Sequence, residues 1–289
     1  MHTERALSFA CGDERLVAVL SLPAAPARRG VLIIVGGPQY RAGSHRQFTL
    51  LARSLADAGV PVMRFDYRGM GDSEGAARTF EDVEADVGCA LDVFFAEVPA
   101  LQEAVLWGLC DGASAALFYA HRDARIKGLV LLNPWVRSAA GIAKAYLKHY
   151  YLARLKDRQF WRKLGTGEFK LAAAARSLAS NAMAAVGLRR TPSGPAPATG
   201  AQPAAGLPLA ERMCQGLQRF DGPVLLITSG NDLTAREFLQ TAAASRKWRG
   251  IMRSSRLARF DLPDADHTFS TRVWHEQVAR RTAEWTLSL

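Results

Sequence analysis

The 289-residue chain is poor in the features that would assign it quickly to a special class. It holds only four cysteines (Cys11, Cys89, Cys110 and Cys214), widely separated and with no C-x-x-C pair. That spacing argues against a zinc site or a disulfide framework and suits a reducing, cytoplasmic setting. No run of about 18 uncharged apolar residues occurs, which excludes a hydrophobic transmembrane helix. The polar start, Met1-His2-Thr3-Glu4-Arg5, lacks the apolar stretch of a signal peptide. There is no Gly-Lys-Ser/Thr nucleotide loop, and no G-x-G-x-x-G follows the first parallel strand. No cofactor and no metal is therefore expected.

What the chain does have is length enough for a large core, with 49% hydrophobic residues, and a net charge of +10. The charge is localised. Residues 134–215 hold 13 Lys or Arg against 3 Asp or Glu, and the other 207 residues are balanced. A strongly basic chain raises nucleic-acid binding. Here the basicity belongs to one segment and the rest is neutral, so nucleic acid is a poor fit as the principal partner.

Outside that segment, strand and helix patterns alternate. Leu7–Cys11 and Arg15–Leu22 read as two strands joined by a Gly12-Asp13 turn. Val31–Val35, Val60–Phe65, Ala104–Trp107, Ile126–Leu132 and Pro223–Thr228 read as buried strands, and Arg256–Leu262 as the last. Helical spacing follows through Phe48, Leu51, Leu55 and Ala58, through Phe80–Phe95, through Ala113–His121 and through Val273–Leu287. This order predicts a mostly parallel, doubly wound α/β sheet. The core is expected over residues 1–133 and 216–289. Residues 134–215 interrupt it as a basic, aromatic and Ala-rich helical lid. Within the lid, a Pro, Ala, Gly and Ser-rich loop at about 191–208 is too polar to order itself.

The sharpest chemical signal is Gly108-Leu109-Cys110-Asp111-Gly112, between a strand and a helix. That is the context of the G-x-S-x-G nucleophile elbow, with Cys in the nucleophile position. The turn would hold the side chain above the sheet, at the positive end of the following helix, which favours a thiolate. The plain alternative is a small buried cysteine in a glycine-rich turn. Asp232 follows a buried strand and His267 follows the last strand. Nucleophile, acid and histidine then occur in the order of that hydrolase class, with His267 as base and Asp232 as its orienting acid. Taken singly, Asp232 also reads as a helix N-cap and His267 as a surface histidine. Asp264 and Asp266 are the other candidate acids. Gly36-Gly37-Pro38 follows the third strand, so the N–H groups of Gly37 and Asp111 are the expected oxyanion-hole donors. Pro38 has no N–H to offer. The loop Asp66-Tyr67-Arg68-Gly69-Met70-Gly71-Asp72-Ser73 is expected to shape the floor of the site.

These motifs, in this order, resemble the α/β-hydrolases of the serine-aminopeptidase-like (monoacylglycerol-lipase-like) kind. The resemblance covers nearly the whole chain outside the lid. Gly37–Arg46 and Gly108–Gly112 are more narrowly similar to hydrolases associated with the exosortase A system, encoded beside bacterial exopolysaccharide loci. Two departures stand out: Cys110 replaces the usual Ser, and Val35 the usual His of the oxyanion loop. Cys at this turn also resembles dienelactone hydrolases and polyhydroxyalkanoate synthases. The resemblance implies hydrolysis or transfer of an acyl group from an ester or thioester. The acyl donor would be a small molecule, and an anionic one linked to CoA or an acyl carrier would suit the basic lid, which also suits a peripheral membrane surface. The alternative is a non-catalytic binding or scaffold protein that has kept the fold.

Overall fold

In the computed structural model, the described residues are 2–25, 27–37, 39–136 and 207–289. They form one eight-stranded sheet in the order β1-β2-β4-β3-β5-β6-β7-β8. The strands are β1 (His2–Cys11), β2 (Glu14–Pro23), β3 (Arg29–Ile34), β4 (Val62–Asp66), β5 (Glu103–Leu109), β6 (Ile126–Leu132), β7 (Val224–Ser229) and β8 (Leu257–Leu262). β1 pairs antiparallel with β2, and β2 antiparallel with β4. From β4 to β8 every pairing is parallel. This is the α/β-hydrolase fold.

The near-continuous apolar strands follow from burial on both faces. Leu32, Ile34, Met63, Phe65, Leu106, Leu129 and Leu131 join one core cluster. Their neighbours Val31, Ile33, Val62, Val105, Trp107, Val130 and Leu132 join the other. Successive side chains thus alternate between two helical layers. α2 (Glu84–Glu97), α3 (Asp111–Tyr119) and α4 (Leu209–Arg219) supply the first layer through Val87, Leu91, Phe94, Leu117, Met213 and Leu217. α1 (Gln47–Asp57) and α7 (Arg272–Ser288) supply the second through Phe48, Leu51, Leu55, Val278 and Trp285. α5 (Leu233–Ala244) and α6 (Arg246–Met252) lie between β7 and β8, and Phe238 meets Trp248 edge to face with ring centroids 5.3 Å apart.

Apart from 134–136 and 207–215, the expected lid lies outside the described residues. The boundary drawn at 215 falls inside α4. That helix buries Met213 and Cys214 in the core, and Arg212 pairs with Glu81 while stacking over Phe118. No helix among the described residues is long and apolar enough to cross a membrane.

Candidate active site

Parallel strands end on the same edge of a sheet, and loops leaving that edge converge there. β3, β5, β6, β7 and β8 deliver Gly36-Gly37, Cys110, Asn133, Asp232 and His267 in turn.

Cys110 sits between β5 and α3 with φ 60° and ψ −122°. A non-glycine residue seldom adopts positive φ, and it persists only where the surroundings enforce it. The enforcement here is close packing. A Cβ on Gly108 would lie 2.4 Å from the Gly112 backbone, and one on Gly112 would lie 2.4 Å from the Ile34 carbonyl oxygen. Both glycines are therefore required by the approach of β3 and α3 to the turn. The Cys110 N–H donates to the Leu132 carbonyl at 2.8 Å, and the Cys110 carbonyl accepts from Trp135 N–H at 3.1 Å.

Asp232 is buried and caps α5, accepting N–H bonds from Thr234 at 3.1 Å and Ala235 at 2.9 Å. Its Oδ2 lies 2.9 Å from His267 Nδ1. One carboxylate thus both caps α5 and faces the His267 ring. Burial pushes its pKa up, but the His267 pairing and the two N–H bonds outweigh burial and leave it below the usual carboxylate range. His267 is pushed the other way, to about 10, first by Asp232 and then by the Cys110 thiol, against the opposing effect of burial. Asp266 turns away: its carboxylate accepts from the N–H groups of Thr268 at 3.2 Å and Ser270 at 3.0 Å. The Asp264 carbonyl accepts from Asn231 Nδ2 at 2.9 Å.

A cavity of about 290 Å³ is lined by Gly36, Gly37, Gln39, Phe48, Leu109, Cys110, Asp111, Trp135 and His267. A second, of about 470 Å³, is lined in part by Thr268 and Phe269, the residues after His267, and by His45, Leu50 and His275. Gly37 stands at φ 66°, and the loop after it is tied down from two sides. Gln39 Oε1 accepts from Ser44 N–H at 3.2 Å and from Gln47 Nε2 at 3.3 Å. The Arg41 N–H donates to Asp66 Oδ1 at 2.6 Å, and its guanidinium pairs with Asp66 and, at 2.7 Å, with Asp72. The Asp66–Ser73 loop therefore acts as the clamp on the Gly37 loop. Among the described residues, no three His, Cys, Asp or Glu side chains gather closely enough to hold a metal ion.

Sequence reasoning missed Asn133. It is fully buried at φ 43°. Its Nδ2 donates to Ser229 Oγ at 2.8 Å and to the His267 carbonyl at 3.1 Å, and its Oδ1 accepts from Ser229 N–H at 3.0 Å. One amide thus ties the ends of β6 and β7 to the histidine loop. The only sequence signal was a polar residue at the end of an apolar strand. The other thiols stand apart. Cys11 donates to the Ala85 carbonyl, and burial with the neighbouring Cys89 thiol pushes its pKa up to about 12. Burial also raises the Cys214 pKa.

The model of the serine aminopeptidase S33 hydrolases matches residues 26–247. The chain belongs to this family. It is thus a hydrolase. A Pyrococcus furiosus esterase superposes with a TM-score of 0.65 at 14% identity, covering 99% of this chain and 93% of that one. Dienelactone hydrolase from Anabaena variabilis gives 0.59 at 15% identity, covering 99% and 98%. The Butyrivibrio proteoclasticus protein Est1E, solved with ferulic acid bound, gives 0.61 at 15% identity, covering 98% of each chain. At these identities the structural likeness speaks for the fold alone. Comparison with curated proteins gives no match.

Proposed function

We propose that this hydrolase acts on an ester or thioester through a covalent acyl-Cys110 intermediate. The observation that carries the reading is the strained Cys110 on the wall of the same cavity as His267, which is paired with Asp232. With its proton resting on His267, Cys110 Sγ attacks the acyl carbon, and its electron pair forms the C–S bond. The carbonyl π electrons move to oxygen and return as the bond to the leaving group breaks. His267 gives its proton to the departing oxygen or sulfur. Water then attacks the thioester and gives a proton to His267, the C–S electron pair returns to sulfur, and the acid leaves with Cys110 and protonated His267 restored; a different acceptor in place of water makes the reaction a transfer. Asp232 holds the imidazole so that Nε2 faces the chemistry. The N–H groups of Gly37 and Asp111 stabilise the oxyanion.

Thiolate is a good leaving group from the tetrahedral intermediate. The site therefore favours activated acyl donors, thioesters among them, over amides. The positive charge in residues 134–215 supports a lid that receives an anionic carrier such as CoA. The similarity of Gly37–Arg46 to exosortase A-associated hydrolases supports a role beside exopolysaccharide synthesis. The test is turnover of p-nitrophenyl esters and acyl-CoA thioesters by the protein and by Cys110→Ala. Loss of turnover in the variant is expected; equal turnover would overturn the reading.

A further inference from the structure

The catalytic cavity has a larger neighbour. A groove of about 470 Å³ is walled by residues of α1 and α7, a volume in the range of small-molecule sites. It starts at Thr268, Phe269 and Ser270, which follow His267 in the chain. Ser44 and Gln47 line it too. The Ser44 N–H and Gln47 Nε2 both donate to Gln39 Oε1, at 3.2 and 3.3 Å, and Gln39 lines the catalytic cavity. The two spaces therefore adjoin across Gln39, Gln47 and the turn after His267. Two residues of the groove hold a backbone conformation that side chains seldom adopt, His45 at φ 52° and Phe269 at φ 51°. Strain of this kind persists only where the surroundings enforce it, and it gathers at ligand sites.

The lining carries little net charge. Arg272 and Glu276, which both line the groove, pair with each other at 2.6 Å. His275 Nε2 hydrogen-bonds the Gln47 carbonyl at 3.0 Å and so ties α7 to α1. Ser44, Ser54 and Thr268 bring hydroxyls, which both donate and accept, and Leu50, Phe269 and Ala279 bring apolar surface. Hydroxyl groups beside apolar surface suit an occupant of the same mixed character.

We propose that this groove is the alcohol subsite of the reaction and takes an uncharged polyhydroxy group, a sugar or another polyol, acylated through one hydroxyl. This deepens the functional reading above and rests on it. The side on which the alcohol lies follows from the proton. His267 protonates the leaving oxygen, so the group carried on that oxygen extends past His267, where the groove starts. As the C–O bond breaks, the oxygen takes the His267 proton and the polyol leaves. In transfer the same subsite holds the acceptor: its O–H proton goes to His267, its oxygen bonds the acyl carbon, and the C–S electron pair returns to Cys110. The acyl group stays in the smaller cavity, beside Gly37, Cys110 and Trp135.

The test fills the groove from its exposed side. Leu50 and Ser54 lie one helical turn apart on α1, line the groove and are exposed, so Leu50→Trp and Ser54→Trp narrow it without repacking the core. In each variant kcat/KM for 6-O-butyrylglucose should fall about tenfold relative to that for ethyl butyrate, whose short alcohol does not reach the groove. An unchanged ratio in both variants would overturn the subsite. Wild type should prefer 6-O-butyrylglucose to hexyl butyrate and to butyrylcholine; a preference for either of those would overturn the polyol class. A second readout needs no turnover. Methyl glucoside should shift the Leu50 and Phe269 amide resonances of Cys110→Ala, and should leave them fixed when Ser54→Trp is added. Fixed resonances in Cys110→Ala would overturn the subsite. Absence of Cys110-dependent turnover of every ester would instead overturn the functional reading, and the methyl glucoside titration would still decide the groove.

Discussion

At the scale of the residue, the account turns on four side chains whose properties come from their neighbours. Cys110 is distinguished from Cys11 and Cys214 by its place: burial makes those two harder to ionise, whereas Cys110 faces a cavity beside His267. Limiting iodoacetamide should therefore alkylate Cys110 first, read as the order in which cysteine peptides gain mass. His267 is held protonated up to about pH 10 by Asp232 and Cys110. Its folded-state pKa lies above its ordinary value of 6.5, so its contribution to stability is complete below about pH 6.5 and is lost as pH rises through about 10. The gap in urea midpoint between wild type and His267→Gln should shrink across that window. A gap that widened would reverse the sign. In Cys110→Ser the His267 pKa, followed by NMR, should fall, because the thiol no longer supports the imidazolium. Asp232→Asn should cost orders of magnitude in turnover, since the loss of the orienting acid costs about 10⁴ in a serine triad. The strand-end placement of Cys110, Asp232 and His267 was legible because a tight turn of this kind needs glycines at fixed offsets and each of the three follows an apolar strand. Asn133 was not legible, because its three bonds reach partners about a hundred residues away, and nothing local announces them.

At the scale of the element, the turn after β5 stores strain that its neighbours maintain. Adding one methyl at Gly112 sets it 2.4 Å from the Ile34 carbonyl oxygen. Gly112→Ala should destabilise the fold by about 1–3 kcal/mol through overpacking, measured as a lower urea midpoint. Asn133→Ala leaves the Ser229 N–H in a buried site without its side-chain partner, for an expected loss of about 1–3 kcal/mol. Because Asn133 also holds the His267 carbonyl, its loss should lower kcat more than it raises KM. The strands were readable from continuous apolar runs. α5 and α6 were not, because the Asp232–Met252 stretch has a short period broken by Ser245, which ends one helix and caps the next. Residues 209–215 of α4 were drawn into the lid because they follow directly on its Pro, Ala, Gly and Ser-rich loop, while the apolar face of the helix packs on the sheet's helical layer.

At the scale of the whole molecule, a charge-balanced hydrolase core carries a strongly basic segment at residues 134–215. If that segment receives an anionic acyl carrier, KM for an acyl-CoA should rise with salt, because exposed charges are screened over about 8 Å at physiological ionic strength. KM for a neutral p-nitrophenyl ester should stay level, and equal salt dependence for the two would assign the charge to solubility alone. The parallel sheet and the order of its loops were readable before any coordinates, since each β-α unit repeats the same pattern. The convergence of Asp66, Arg41 and Gln39 on the Gly37 loop was not, because ion-pair clamps of this kind have no period in sequence. The central claim is a covalent bond to one sulfur, and intact-protein mass spectrometry after rapid mixing with an activated ester tests it most directly. The account predicts an added acyl mass that maps to the Cys110 peptide, accumulates in His267→Ala after slow loading, and is absent from Cys110→Ala. An acyl mass on another residue, or turnover that survives in Cys110→Ala, would contradict it.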